Sequence, residues 1–348
     1  MNNLSMYINN GKTELLQYVP EFYNIAEITN ELLQIIRNGM QTWVQKEIYD
    51  KINVSVWIQN DVNLFNAYAM YNSEKNYIVL TYRLIYEFYW SVEAFFENNN
   101  FGKVIHLSEK YKSNAKRNMY MYMLSFIVAH ELGHIIHGHI RGKDSNNFID
   151  ELYNNDTVRK KDENWMIQML EYDADSVGAT INTGFLLKNW TSNLKELLSY
   201  SDMMFLTFYL CFDVMARKSN RDFSQYFQKE IDEYDHPHPG IRLYYSLINS
   251  IYVLVNVKCD ISTLIKIVES GIHAIVTYEK IALEKGQLAE SFYNVGFTER
   301  GSQHVMNLIN GWNEDCIDLY KEKSYVPLFK IEKLEYMRYF LNEKGKFI

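Results

Sequence analysis

The chain has 348 residues, of which 47% are hydrophobic and 22% charged, enough for one large domain with a sizeable core or two modest ones. A net charge of −8 and a pI of about 5.7 exclude the basic surface of a nucleic-acid binder, and runs such as Arg159-Lys160-Lys161 are too short to reverse that. Cys211, Cys259 and Cys316 are odd in number and far apart, which excludes a disulfide framework. The start Met1-Asn2-Asn3-Leu4 lacks a signal-peptide pattern, and no uninterrupted apolar run nears the ~20 residues of a membrane span, so a cytoplasmic protein without stable membrane insertion is expected.

In chain order, residues 21–50 carry apolar positions at helical spacing, among them Ile25, Ile28, Leu32 and Ile36, and predict a helix broken near Gly39. Ile52 to Ile58 alternates and is β-branched, the mark of a strand. Asn66–Tyr71 and Tyr77–Tyr82 flank the polar run Asn72-Ser73-Glu74-Lys75-Asn76 and predict a hairpin. Leu84–Phe96 returns to helix, and 98–114 is polar and irregular. A long apolar helix is expected over 114–141, with Gly142 as its stop. Residues 142–161 read as a mobile loop or a loop holding a short helix, and the next helix runs from an Asp162 cap to Gly184. From 190 onward the pattern is helical, with one strong break at His236-Pro237-His238-Pro239-Gly240.

The chemistry points to His130-Glu131-Leu132-Gly133-His134. Helical residues four apart share a face, so His130 and His134 can grip one zinc ion. Glu131 is then placed to act as base toward a water in an open coordination position. Met119 to Ala129 before the motif and Ile135-Ile136 after it are apolar, which argues against a merely solvated charged turn. A catalytic zinc commonly takes a third protein ligand. Glu171 leads, in Glu171-Tyr172-Asp173-Ala174-Asp175, with Asp175 four residues on to orient a ligating histidine. An acidic helix segment more often faces solvent, and spacing alone does not decide between the two. Zinc proteases with a third histidine ligand need Gly and His three and six residues after the second His. Here those positions are His137 and Ile140, so His137 and His139 read as hydrogen-bonders at a helix end. The His-Pro turn could aim His236 or His238, with Arg242, at a developing oxyanion, although spacing alone favours exposed histidines at a helix start.

Four segments together resemble zinc metallopeptidases of the HtpX and CAAX-prenyl-protease type, a gluzincin family. They are Asn66-Ala67-Tyr68-Ala69 with Ile78-Val79-Leu80-Thr81 and Leu84, the zinc helix, Glu171 to Asp175 followed by Gly178-Ala179, and His236-Pro237 with Arg242. Their order and spacing agree across roughly 52–245. The resemblance implies zinc on His130, His134 and Glu171, Glu131 as general base, Asp175 orienting a ligand, and His236 and Arg242 near the oxyanion or supporting the site. It does not cover the first 50 residues or the last hundred. With the helical pattern of the remaining chain, the expected fold is α+β, mainly α: a zincin-like catalytic domain over 1–250, its small sheet packed on the zinc helix, and a helical C-terminal extension over 251–348. The substrate would be a protein or peptide, extended along the strand near Asn66–Tyr71. Typical members carry transmembrane helices, and this chain lacks that pattern. His238 stands where many members have a second Pro. Soluble relatives include a phage-exclusion type of host-cleaving protease, which suits narrow or triggered substrate choice. The rival expectations are a catalytically silent zinc-fold binding or sensor module and a non-peptidase zinc amidohydrolase.

Overall fold

The computed structural model describes residues 23–59, 61–72, 74–97, 104–105, 112–141, 149–150, 161–189, 191–219, 230–234, 236–257, 259–286 and 291–331. The architecture is mainly helical with one small sheet, as the α+β expectation requires. The helical stretch is broken as expected, but at residues 44–45 rather than at Gly39: α1 (Tyr23–Trp43) runs through the glycine because Leu32, Leu33, Ile36 and Met40 bury one continuous stripe. α2 (Lys46–Ile52) follows and stops at Asn53, which takes the left-handed conformation.

β1 (Val54–Gln59), β2 (Ala67–Asn72), β3 (Lys75–Thr81) and the two-residue β4 (Ile149–Asp150) form a sheet in the order β1-β3-β2-β4. β2 and β3 are the expected antiparallel hairpin, and β1 pairs parallel with β3. β2 is flanked on both sides, since β4 pairs with it at Tyr68 and Ala69. This bears on the expectation of a substrate extended along the strand near Asn66–Tyr71: at Tyr68 and Ala69 the pairing position is taken by the chain itself. Ala67, Ala69, Ile78 and Leu80 are buried in the core, and β2 and β3 pack on the helix that carries the histidine motif.

That helix, α4 (Lys112–Ile136), ends five residues before the expected 141. Gly138 turns the chain, with φ of 79°; the expected stop at Gly142 lies outside the described residues. His139 N–H donates to His134 C=O at 2.9 Å and Gly138 N–H to Ile135 C=O at 3.1 Å, the paired bonds of a left-handed helix stop. A side chain at Gly138 would also fall 2.5 Å from the Lys323 backbone, so the residue is doubly constrained to glycine. Tyr325 N–H then satisfies the orphaned Ile136 carbonyl at 2.8 Å.

α3 (Tyr82–Glu97) precedes α4. After it come α5 (Lys161–Lys188), α6 (Leu194–Ser219), α7 (Pro239–Asn256), α8 (Ile261–Glu284), α9 (Glu299–Gly311) and α10 (Ile317–Tyr320). α5 passes four residues beyond Gly184, its expected end. The segments Ser113–Ile136 and Leu194–Arg217 are long and apolar enough to cross a bilayer, but nearly all of each is buried, and core packing accounts for their composition. The main core joins the sheet to α1, α3, α4, α6 and α8; a second core gathers Met169, Tyr172, Tyr245, Leu308 and Trp312. The helices after residue 250 therefore pack into both cores.

Two buried histidines outside the site should make the fold acid-sensitive. His304 donates to Gln168 Oε1 at 2.8 Å, and His238 caps α7 by accepting from Gly240 N–H at 3.1 Å. Burial lowers both to about 4; for His304, Asp232 pulls upward and Arg300 pushes further down. The unfolded chain then binds more protons between about pH 4 and 6.5, so stability is full above that window and is lost as pH falls through it. Each histidine should cost on the order of 2 kcal/mol at pH 5. Denaturant unfolding in the presence of chelator at pH 7 and pH 5 should show the loss, and His304→Gln should reduce it.

Candidate metal centre

The site forms where α4 crosses α5. The crossing is close because Gly133 faces the second helix: a Cβ there would lie 3.1 Å from Ala174 Cα and 3.2 Å from Val177 Cβ. Gly133→Leu should therefore push the helices apart and lower both the melting temperature and metal affinity, as overpacked positions do at a cost of about 1–3 kcal/mol. A thermal melt with and without zinc checks this.

His130 and His134 lie on one face of α4, fully buried, with their Nε2 atoms 3.1 Å apart. Glu171 of α5 brings Oε2 to 3.4 Å from His130 Nε2 and Oε1 to 3.4 Å from His134 Nε2. The three residues predicted as ligands are thus brought together. Zinc with bonds of ~2.0–2.1 Å in tetrahedral geometry separates its ligand atoms by roughly 3.3 Å, which matches this triangle. Neither Glu171 oxygen has a hydrogen-bond partner, although the side chain is fully buried. A buried carboxylate in that state is costly unless a cation completes it. The donor set therefore fits a divalent ion. Burial pushes Glu171 up, but His130, His134 and His236 outweigh it and hold the group well below the usual carboxylate range.

Behind the triangle, His130 Nδ1–H donates to Asp175 Oδ1 at 2.7 Å, which leaves Nε2 with its lone pair toward the centre. Asp175 is itself clamped. Arg242 donates through Nε to Oδ2 at 2.7 Å and through Nη2 to Oδ1 at 2.8 Å, and Tyr245 O–H donates to Oδ2 at 2.6 Å. Burial raises Asp175, yet Arg242 and His130 prevail and keep it below its ordinary value. Arg242 Nη2 also lies 3.5 Å from Glu171 Oε2. Its guanidinium therefore faces two carboxylates, Asp175 and Glu171. Tyr245 was not visible as a site residue in the sequence, and its place one helical turn after Arg242 is the signal that could have found it.

Glu131 is buried next to His130 on α4. Of the two turn histidines, His236 is near enough to Glu171 to depress its pKa, while His238 is committed to capping α7. The cap removes His238 Nδ1 from the site and leaves His236 as the turn histidine on the Glu171 side.

A second group lies beside the first. His137 Nδ1 is in hydrogen-bond contact with Asp173 Oδ2, His139 Nε2 lies 3.3 Å from the same oxygen, and His139 Nδ1 is 2.9 Å from His134 Nδ1. His137 and His139 are hydrogen-bonders at the helix end, as expected. Asp173 had no role in the sequence reading. Either trio of side chains has the composition to hold a metal ion. Comparison of the chain with family models, curated proteins and solved structures found no match.

Proposed function

We propose that this protein is a zinc-dependent endopeptidase of the gluzincin type, akin to the HtpX and CAAX-prenyl-protease group, with a zincin-like catalytic domain and protein or peptide substrates in the cytoplasm. The observation that carries this reading is the donor triangle: two imidazole nitrogens and a carboxylate, 3.1–3.4 Å apart, with a base adjacent in sequence. Zinc bound there would polarise a scissile carbonyl and lower the pKa of water toward ~7. Glu131 accepts the proton of the attacking water and returns it to the leaving amine. His236 supplies a donor on the Glu171 side for the developing oxyanion. Asp175 and Arg242 hold His130 and Glu171 in place.

The depth of the site favours narrow or triggered substrate choice, since His130, His134 and Glu171 have no exposed surface. The same burial favours a second reading, a catalytically silent zinc-fold sensor or binding module. One experiment separates them. The purified chain, with and without zinc, is incubated with a mixed proteome and new protein N-termini are sequenced. The protease reading expects one zinc per chain and a short set of zinc-dependent termini. Zinc without new termini supports the silent module, and no zinc at all overturns both. Release of small amides without cleaved chains would instead identify an amidohydrolase.

A further inference from the structure

We propose that His139 and Asp173 form a relay that fixes His134 as a metal ligand, the counterpart of the clamp that Asp175 and Arg242 place on His130. The inference rests on the zinc reading above. His134 can offer Nε2 to an ion only when its proton sits on Nδ1. That proton needs an acceptor, because His134 is fully buried and an unanswered N–H is costly there. His139 Nδ1 lies 2.9 Å away. With Nδ1 accepting, the His139 proton is on Nε2, 3.3 Å from Asp173 Oδ2 but outside hydrogen-bond geometry, so Asp173 holds that proton by its charge rather than by a formed hydrogen bond. Asp173 also accepts from His137 Nδ1–H and is itself buried.

Helical geometry alone would not produce this arrangement. A residue five positions on along a helix points about 140° away from the first. Here the left-handed turn at Gly138 folds His139 back against the ring of His134, centroid to centroid 5.1 Å. The rings of Trp312 and Tyr320, at 5.8 and 5.2 Å, confine His139 from the other sides. The helix stop, the aromatic wall and Asp173 therefore converge on one ring whose free atom meets a ligand.

The same three side chains could be read as a second metal site, but the spacing argues otherwise. In the first group the donors stand 3.1–3.4 Å apart, as ligands of one ion must. In the second, His137 Nδ1 and Asp173 Oδ2 are in direct hydrogen-bond contact, with no space between them for an ion, although His139 Nε2 stands 3.3 Å from the same oxygen. Partners that orient a metal-bound histidine are worth 10–100-fold in metal affinity.

The test measures zinc affinity of the full chain by competition with a chromogenic chelator, alongside thermal melts of the metal-free proteins to verify folding. Wild type should bind one zinc. His139→Phe keeps a ring but removes the acceptor, and should weaken binding by about 10–100-fold. His139→Asn restores an oxygen acceptor close to the Nδ1 position and should recover much of the loss, which a merely space-filling role would not allow. Should His139→Phe fail to fold, Asp173→Asn carries the same expectation. Equal affinity of wild type and a folded His139→Phe overturns the relay and leaves the zinc reading standing. Two zinc ions per wild-type chain, reduced to one by His137→Ala, also overturns it. A wild type that binds no zinc sinks the underlying reading instead.

Discussion

Glu131→Gln is expected to bind zinc as wild type does and to cleave substrate about 10²–10⁴-fold more slowly. The substitution keeps the shape of a side chain only 1% exposed and leaves His130, His134 and Glu171 untouched. It removes the one function the amide cannot perform, which is accepting a proton from water and handing it on. The cost should fall on kcat, because proton transfer belongs to the transition state and not to substrate binding. Single-turnover cleavage of a substrate found by N-terminal sequencing, with zinc content measured on the same samples, gives the answer. Undiminished cleavage by a fully loaded variant would end the assignment of Glu131 as base and, with it, the mechanism.

Asp175→Ala should do the reverse, damaging the centre and the fold before any chemistry is reached. Asp175 accepts from His130, Tyr245 and both arms of Arg242 in a region with almost no solvent. Removing it strands the Arg242 cation against Phe212 and next to Glu171, and frees the His130 ring. Truncating one partner of a buried ion pair typically costs 3–5 kcal/mol, and losing an orienting carboxylate costs about 10–100-fold in metal affinity. Urea unfolding of the metal-free proteins reads the first effect and chelator competition the second. The double variant Asp175→Leu with Arg242→Met removes both charges and should recover stability without recovering zinc affinity. If Asp175→Ala binds zinc normally, its role toward His130 is structural only.

Much of the site was legible because helical periodicity is local. Spacing alone puts His130 and His134 on one face and Glu171 and Asp175 on another. The hairpin and the strand before it were equally plain, since alternation and a polar turn are properties of short segments. The errors came where local signals compete with packing. Gly39 looks like a helix breaker but sits inside α1, held by a buried stripe whose hydrophobic contribution exceeds the ~1 kcal/mol a helical glycine costs. Gly142 and Gly138 are equivalent as stop signals on paper. The second was selected by the closeness of the Lys323 backbone, which excludes a side chain at that point.

The sequence by itself determined the donor types, the helix that carries two of them, and the pairing of carboxylates on the next helix, because these follow from residue identity and a 3.6-residue period. Only the tertiary structure decided that Glu171 reaches both imidazoles, that His238 is taken up in capping α7, that Arg242 clamps Asp175, and that His139 folds back on His134. Each of these depends on how closely two helices cross or on where a chain reverses. Such distances are set by the packing of residues tens to hundreds of positions apart, which no local pattern encodes.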